Sequence, residues 1–139
     1  MVTITNNNQT TILKTVSLDG VGLHTGKDVT ITFYPSEPNS GYVFKRIDLK
    51  NQPLVEADIN YVTNTERGTC LKKNDVTIQT CEHVLASLVG LEIDNALIEL
   101  NASEPPIMDG SSKFFVEALE KAGIKELNEK RKEFVVKNV

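Results

Sequence analysis

Over the first eighty residues, apolar and β-branched positions alternate with polar ones at the two-residue period of half-buried strands. Residues 10–18 set Leu13, Thr15 and Ser17 against Ile12, Lys14, Val16 and Leu18, which predicts one strand. Residues 29–34 alternate again. Between them Gly20, Gly22 and Gly26 can each take positive φ, so the pair reads as a hairpin with a long, shaped loop. After a turn cluster over 35–41, residues 42–47 predict a third strand, with shorter extended pieces at 54–57 and 59–63. Cys70-Leu71 and residues 76–78 form a second hairpin that turns over 72–75.

The period changes at residue 80. Thr80 is placed to cap a helix, Glu82 puts a negative charge in its first turn, and Val84, Leu85, Leu88 and Val89 form an apolar stripe that ends at Gly90. Residues 95–100 return to strand character, and Pro105-Pro106 rule out helix interior just after them. Ser111 or Ser112 then caps a second helix with Phe115, Ala118, Leu119 and Ala122 inside and Gly123 as its stop. The expected fold is α+β, a two-layer sandwich in which a mainly antiparallel sheet carries two helices on one face. Residues 125–132 read as a charged, helix-breaking stretch and 133–139 as the start of a strand with no partner. The expected division is residues 1–127 as one domain and 128–139 as a linker entering a second domain that is missing here.

Composition narrows the function. With 139 residues, 40% hydrophobic and 24% charged, the chain is an ordinary globular domain with one core. Fifteen basic residues against 19 acidic ones give a net charge of −4, and the basic clusters at Lys72-Lys73 and Lys130-Arg131-Lys132 are short. No stripe exists to neutralise phosphates, so nucleic acid is excluded as a partner. No export pattern and no long apolar run stand in the sequence, so a cytoplasmic location without a membrane span is expected, with Cys70 and Cys81 reduced.

Only two histidines are present, His24 and His83, so any imidazole chemistry rests on them. His83 follows Glu82 at a helix start, where both side chains can lean toward one mouth, one as ligand and one as base. The same pair also reads as a solvated helix start. The two-histidine helical zinc motif is absent, since Ser87 stands one turn beyond His83. His24 reads either as a further ligand from the glycine loop or as a polar residue in an exposed turn. Gly26-Lys27 is not a phosphate loop, because Val21 occupies the earlier glycine position and a strand follows. A cysteine nucleophile at Cys81 or Cys70 is poorly supported.

Four segments together resemble a known family: Gly20-Val21-Gly22-Leu23-His24-Thr25-Gly26, Thr80-Cys81-Glu82-His83-Val84-Leu85-Ala86-Ser87-Leu88, Ile93-Asp94-Asn95, and Pro106-Ile107-Met108-Asp109-Gly110-Ser111. In this order they are similar to the amino-terminal half of UDP-3-O-acyl-N-acetylglucosamine deacetylase, the zinc hydrolase of lipid A biosynthesis in Gram-negative bacteria. The resemblance implies that His83 is a zinc ligand, that Glu82 is the general base, and that His24 faces the substrate, a UDP-linked acylated glucosamine. It also implies that the remaining zinc ligands and much of the substrate site come from a carboxy-terminal domain, so this chain alone holds an incomplete zinc site and is inactive. Some relatives continue into a fused enzyme of fatty-acyl metabolism. Cys81 stands where the family has Val and Pro105 where it has Ile; Cys81 beside the metal is either a soft ligand or a small buried side chain. The rival reading is a non-catalytic binding or assembly module with the same fold.

Overall fold

The computed structural model describes residues 2–138. Its strands are β1 (Val2–Ile12), β2 (Val16–Val21), β3 (Asp28–Tyr34), β4 (Tyr42–Arg46), β5 (Leu54–Glu56), β6 (Val62–Asn64), β7 (Cys70–Lys73), β8 (Val76–Ile78), β9 (Ala96–Leu100) and β10 (Ile124–Phe134). The helices are α1 (Glu82–Gly90) and α2 (Lys113–Ala122), and a short 3-10 turn at Ile59–Tyr61 precedes β6. The strands form three sheets, a five-stranded one in the order β2-β3-β9-β4-β5, a three-stranded one β6-β7-β8, and the pair β1-β10. All neighbours run antiparallel except β4 and β9. The expected α+β architecture is therefore found.

The core lies between the five-stranded sheet and the helices. Val29, Ile31 and Phe33 of β3, Phe44 of β4, and Ala96, Ile98 and Leu100 of β9 meet Val84 and Leu88 of α1 and Phe115 and Leu119 of α2 in one buried cluster. Phe33 and Phe115 pack edge to face with ring centroids 6.4 Å apart, and a fully buried Phe contributes about 1.5–3 kcal/mol. In α2 the expected Phe115, Ala118, Leu119 and Ala122 are all buried, and Gly123 closes the helix at φ 81°. The hairpin of β7 and β8 turns at Asn74 and Asp75, both with positive φ, the backbone that a two-residue turn requires.

Four local expectations are corrected. The strand foreseen over 10–18 is two strands broken at residues 13–15, where the backbone N–H groups of Leu13 and Lys14 donate to Gly123 and Ala122 carbonyls. Residues 125–132 are not helical, as expected, but they belong to β10 (Ile124–Phe134), which runs through the expected boundary at 127 and pairs antiparallel with β1, so residues 133 and 134 have the strand partner not foreseen for them. Apart from half-buried Leu127 and Arg131 its side chains are exposed, so no hydrophobic alternation marked it; ladder hydrogen bonds and the Arg131–Asp94 ion pair hold it instead. In α1, Val89 is exposed and Ser87 takes its place on the buried side, donating to the Val84 carbonyl. Thr80 does not cap α1; it sits at φ 50°, and Cys81 occupies the cap position without a side-chain hydrogen bond. At α2 the cap falls where expected: Ser112 holds the cap position, and Ser111 Oγ accepts from the Lys113 N–H at 3.2 Å, while the Ser112 hydroxyl donates to the His83 carbonyl at 2.9 Å.

Candidate active site

A cavity of about 320 Å³ opens beside the start of α1, lined by His24, Asn64, Arg67, Gly68, Cys70, Gln79 and Thr80. One wall is the loop between β2 and β3, which carries His24. The other is the 65–69 loop with the residues that lead into α1.

The glycine loop is shaped chiefly by close approach. Only Gly26, at φ 65°, has a left-handed backbone; its N–H donates to the Gly22 carbonyl, while the Gly22 N–H donates to the Lys27 carbonyl. Gly20 and Gly22 are needed for space, because a Cβ on Gly20 would lie 2.7 Å from Pro106 Cβ and one on Gly22 would overlap Thr25 Oγ1. The expectation that all three glycines exploit positive φ is thus corrected for two of them. Packed this way, the loop exposes His24, whose Nε2 lies 3.2 Å from the Arg67 carbonyl as an Nε2–H donor.

The 65–69 loop joins His24 to α1. Arg67 meets the His24 ring, and the Thr69 N–H donates to Glu82 Oε2 at 3.0 Å. The Thr69 carbonyl accepts from the Cys81 N–H at 3.2 Å, with Cys81 Sγ 3.5 Å away. Gly68, at φ 145°, leaves room for the Glu82 carboxylate, since a Cβ there would come within 3.2 Å of Glu82 Oε1. Glu82 and His83 are adjacent and half-buried at the first turn of α1, so the chain brings a carboxylate and an imidazole to one helix start.

Cys81 is fully buried, and burial pushes its thiol up to about 12, with the charge of Glu82 adding to the effect. Of the two readings weighed for it, the small buried side chain matches its burial and its contact with the Thr69 carbonyl. Cys70 is half-buried in the cavity wall, and both cysteines are free. A hydrolytic zinc takes about three protein ligands. Among the described residues no group of three or more His, Cys, Asp or Glu side chains could hold a metal ion. His83 offers a single imidazole there, with no further cluster of donors around it among the described residues.

Other motif residues have structural duties. Asn95 is buried; its amide donates to Gln9 Oε1 at 3.0 Å and its carbonyl oxygen accepts from the Gly41 N–H at 2.9 Å. Asp94 accepts from the Thr10 N–H and from the guanidinium of Arg131, so it ties β1 and β10 to the turn before β9. Asp109 Oδ1 accepts from the N–H and the hydroxyl of Ser111, a local turn that leads into α2. Gly68, Thr69 and Ser112 belong to the support of the site, yet no sequence pattern reports a backbone donor or a hydroxyl aimed at a neighbouring helix.

Together these features define a class: a two-layer α+β domain that presents a carboxylate and an imidazole, suited to acid–base or metal chemistry, at the start of one helix. The sequence profile of UDP-3-O-acyl N-acetylglycosamine deacetylases (LpxC) matches residues 9–139, and the chain belongs to that family. It is 48% identical to the bifunctional enzyme LpxC/FabZ of Chlorobaculum tepidum, over 92% of this chain and 27% of that protein. It is 47% identical to the UDP-3-O-acyl-N-acetylglucosamine deacetylase of Blochmanniella floridana, over 94% of this chain and 45% of the relative. The deacetylase of the same name from Geobacter sp. is 43% identical, over 93% and 42% respectively. The chain thus spans less than half the length of these curated relatives. Among the described residues no helix is long and apolar enough to cross a membrane.

Proposed function

We propose that this chain is the amino-terminal half of a zinc-dependent amide hydrolase that removes acetyl from the glucosamine nitrogen of a UDP-linked, 3-O-acylated sugar in lipid A biosynthesis, acting in the cytoplasm. The observation that carries the reading is the placement of Glu82 and His83 at the start of α1, with Glu82 held by the Thr69 amide beside the cavity that His24 lines. The names of the relatives, which are deacetylases in their own right or part of a bifunctional enzyme, supply the substrate class.

In this reading His83 contributes one imidazole to the metal, and the other donors come from a carboxy-terminal half that lies beyond β10. Zinc held there would lower the pKa of a bound water to about 7 and polarise the amide carbonyl. Glu82 takes the proton that the attacking water loses and returns it to the departing nitrogen, its carboxylate kept in place by Thr69. His24, exposed on the opposite wall, contacts the sugar nucleotide and carries no proton in the chemical step.

The test is reconstitution. This chain, alone and mixed with a separately produced carboxy-terminal half, is assayed for zinc content and for release of acetate, with Glu82→Ala and His83→Ala as controls. Activity confined to the mixture and abolished by either substitution is expected. Turnover by the chain alone would overturn the split site, and a mixture that binds the sugar nucleotide without turnover would favour the non-catalytic module.

A further inference from the structure

Glu104 stands out among the charged side chains because it is fully buried and has no ion-pair partner among the described residues. A carboxyl offers two oxygens, with room for about four hydrogen bonds. Here Oε1 accepts one, from the backbone N–H of His24 at 2.8 Å, and Oε2 has no partner. Burying a polar atom without a partner is unfavourable, and an apolar side chain of similar size would avoid that cost. A group retained under those conditions is explained by what its one hydrogen bond does.

That bond acts on the cleft. The glycine loop is moulded onto Glu104, since a Cβ on Gly22 would lie 3.3 Å from Glu104 Oε1 and 3.4 Å from Glu104 Cβ. The residue before it reaches the other wall: the Gln79 N–H donates to the Ser103 carbonyl at 2.7 Å, and Gln79 lines the cavity. Residues 103 and 104 therefore strap the two walls together, one peptide oxygen fixing Gln79 and the next side chain fixing the backbone of His24.

We propose that Glu104 is a positioning residue, whose carboxyl oxygen pins the His24 backbone so that the imidazole is presented to the substrate across the cleft. The proposal rests on the reading of His24 as substrate-facing. Glu104 touches no reacting atom; it acts through His24, and its effect falls on substrate binding before it falls on the chemical step.

Two measurements test it separately from that reading. The first is NMR of this chain, in which the His24 amide, bonded to Glu104 Oε1, should exchange slowly with solvent. Glu104→Ala shifts both the amide and the ring signals of His24 while the His83 ring signals stay in place, and Glu104→Gln, which keeps an acceptor oxygen, shifts them less. Unchanged His24 signals in a folded Glu104→Ala chain would overturn the proposal. Should that variant fail to fold, the native chain still decides: a His24 amide that exchanges at the rate of an open loop shows that the bond does not hold the loop. In the reconstituted deacetylase, Glu104→Ala raises KM for the UDP-linked substrate by up to about tenfold, the upper end for one lost hydrogen bond, moves kcat less, and adds nothing in a His24→Ala background. His24 signals that move while KM does not would remove the substrate-facing reading of His24, and the proposed role with it, but would leave the structural pin intact.

Discussion

Thr69 and Glu82, thirteen residues apart, are bound through opposite ends of one strap: the Thr69 N–H donates to Glu82 Oε2 at 3.0 Å, and the Thr69 carbonyl accepts from the Cys81 N–H at 3.2 Å. The 65–69 loop and the first turn of α1 are thereby a single rigid unit. Since His24 rests on the Arg67 carbonyl of the same loop, a change in that loop reaches both histidine and carboxylate.

Gly68 gives the first prediction. Its φ of 145° is a conformation that side chains rarely adopt, and a Cβ would press within 3.2 Å of Glu82 Oε1. Gly68→Ala should cost roughly 1–3 kcal/mol of stability from backbone strain. Deacetylation by the reconstituted enzyme should fall further than that loss explains, because Glu82 is displaced while the fold survives. Urea unfolding of the chain alongside acetate release by the mixture checks it, and a variant that is destabilised but fully active would show that the carboxylate tolerates the move.

Alkaline stability gives the second. The Cys81 thiol is raised by burial from its ordinary value of 9.0 to about 12. Below the ordinary value both the folded and unfolded forms keep the proton, so the contribution to stability is fully present; above it the unfolded chain ionises first, and stability is lost as pH rises toward the folded value. Tyr42, raised from 10.0 to about 12 chiefly by burial, adds a loss of the same sign at higher pH. The unfolding free energy should therefore decline between about pH 9 and about pH 12, and Cys81→Ala should flatten the lower part of that decline. A thiol reagent should modify half-buried Cys70 first and reach Cys81 only on unfolding. Equal labelling rates in the native chain would contradict the buried assignment.

Asn95 gives the third. Its side chain joins β1 to the start of β4, through Gln9 and the Gly41 amide, from a position with 1% exposure. Asn95→Ala leaves the Gly41 N–H without its acceptor and Gln9 Oε1 with only the Asn39 N–H, and should cost about 1–3 kcal/mol. Because the contact lies away from the cleft, the reconstituted enzyme should keep its KM at temperatures where the variant is folded. Thermal melts and a KM determination separate the two effects.

What the sequence disclosed follows from what each element buries. β3, β9 and α2 each hide one face, so alternation or a helical stripe announced them. β10 hides neither face and is held by the ladder to β1, so its charged side chains read as a break. Thr80 shows a local rule losing to its surroundings: a good capping residue was drawn into a left-handed turn, and the helix begins after it. At the site, Glu82, His83 and His24 were singled out by resemblance and by the scarcity of histidine. Glu104 was not, because nothing in a Glu before two prolines tells that its carboxyl is buried under the glycine loop.

Ser112 gives the last prediction, and it bears on how the two helices serve the site. Its hydroxyl donates to the His83 carbonyl at 2.9 Å, so the start of α2 is fastened to the residue proposed to hold the metal. Ser112→Ala removes this bond without filling or emptying the core, and one neutral hydrogen bond is worth about 0.5–1.5 kcal/mol. If the bond only stabilised the helix pair, zinc affinity of the reconstituted enzyme would fall no more than the fold does. The His83 backbone, however, sets where its imidazole points, and loss of an outer support to a metal ligand lowers affinity by about 10–100-fold. Ser112→Ala should therefore weaken zinc binding by about tenfold, at the low end of that range, because the support acts on the backbone and not on the ring. Ser112→Thr, which keeps the hydroxyl, should restore most of the affinity. Zinc titration against a competing chelator reads the result, and equal affinity in the native and Ser112→Ala enzymes would confine the bond to a structural role.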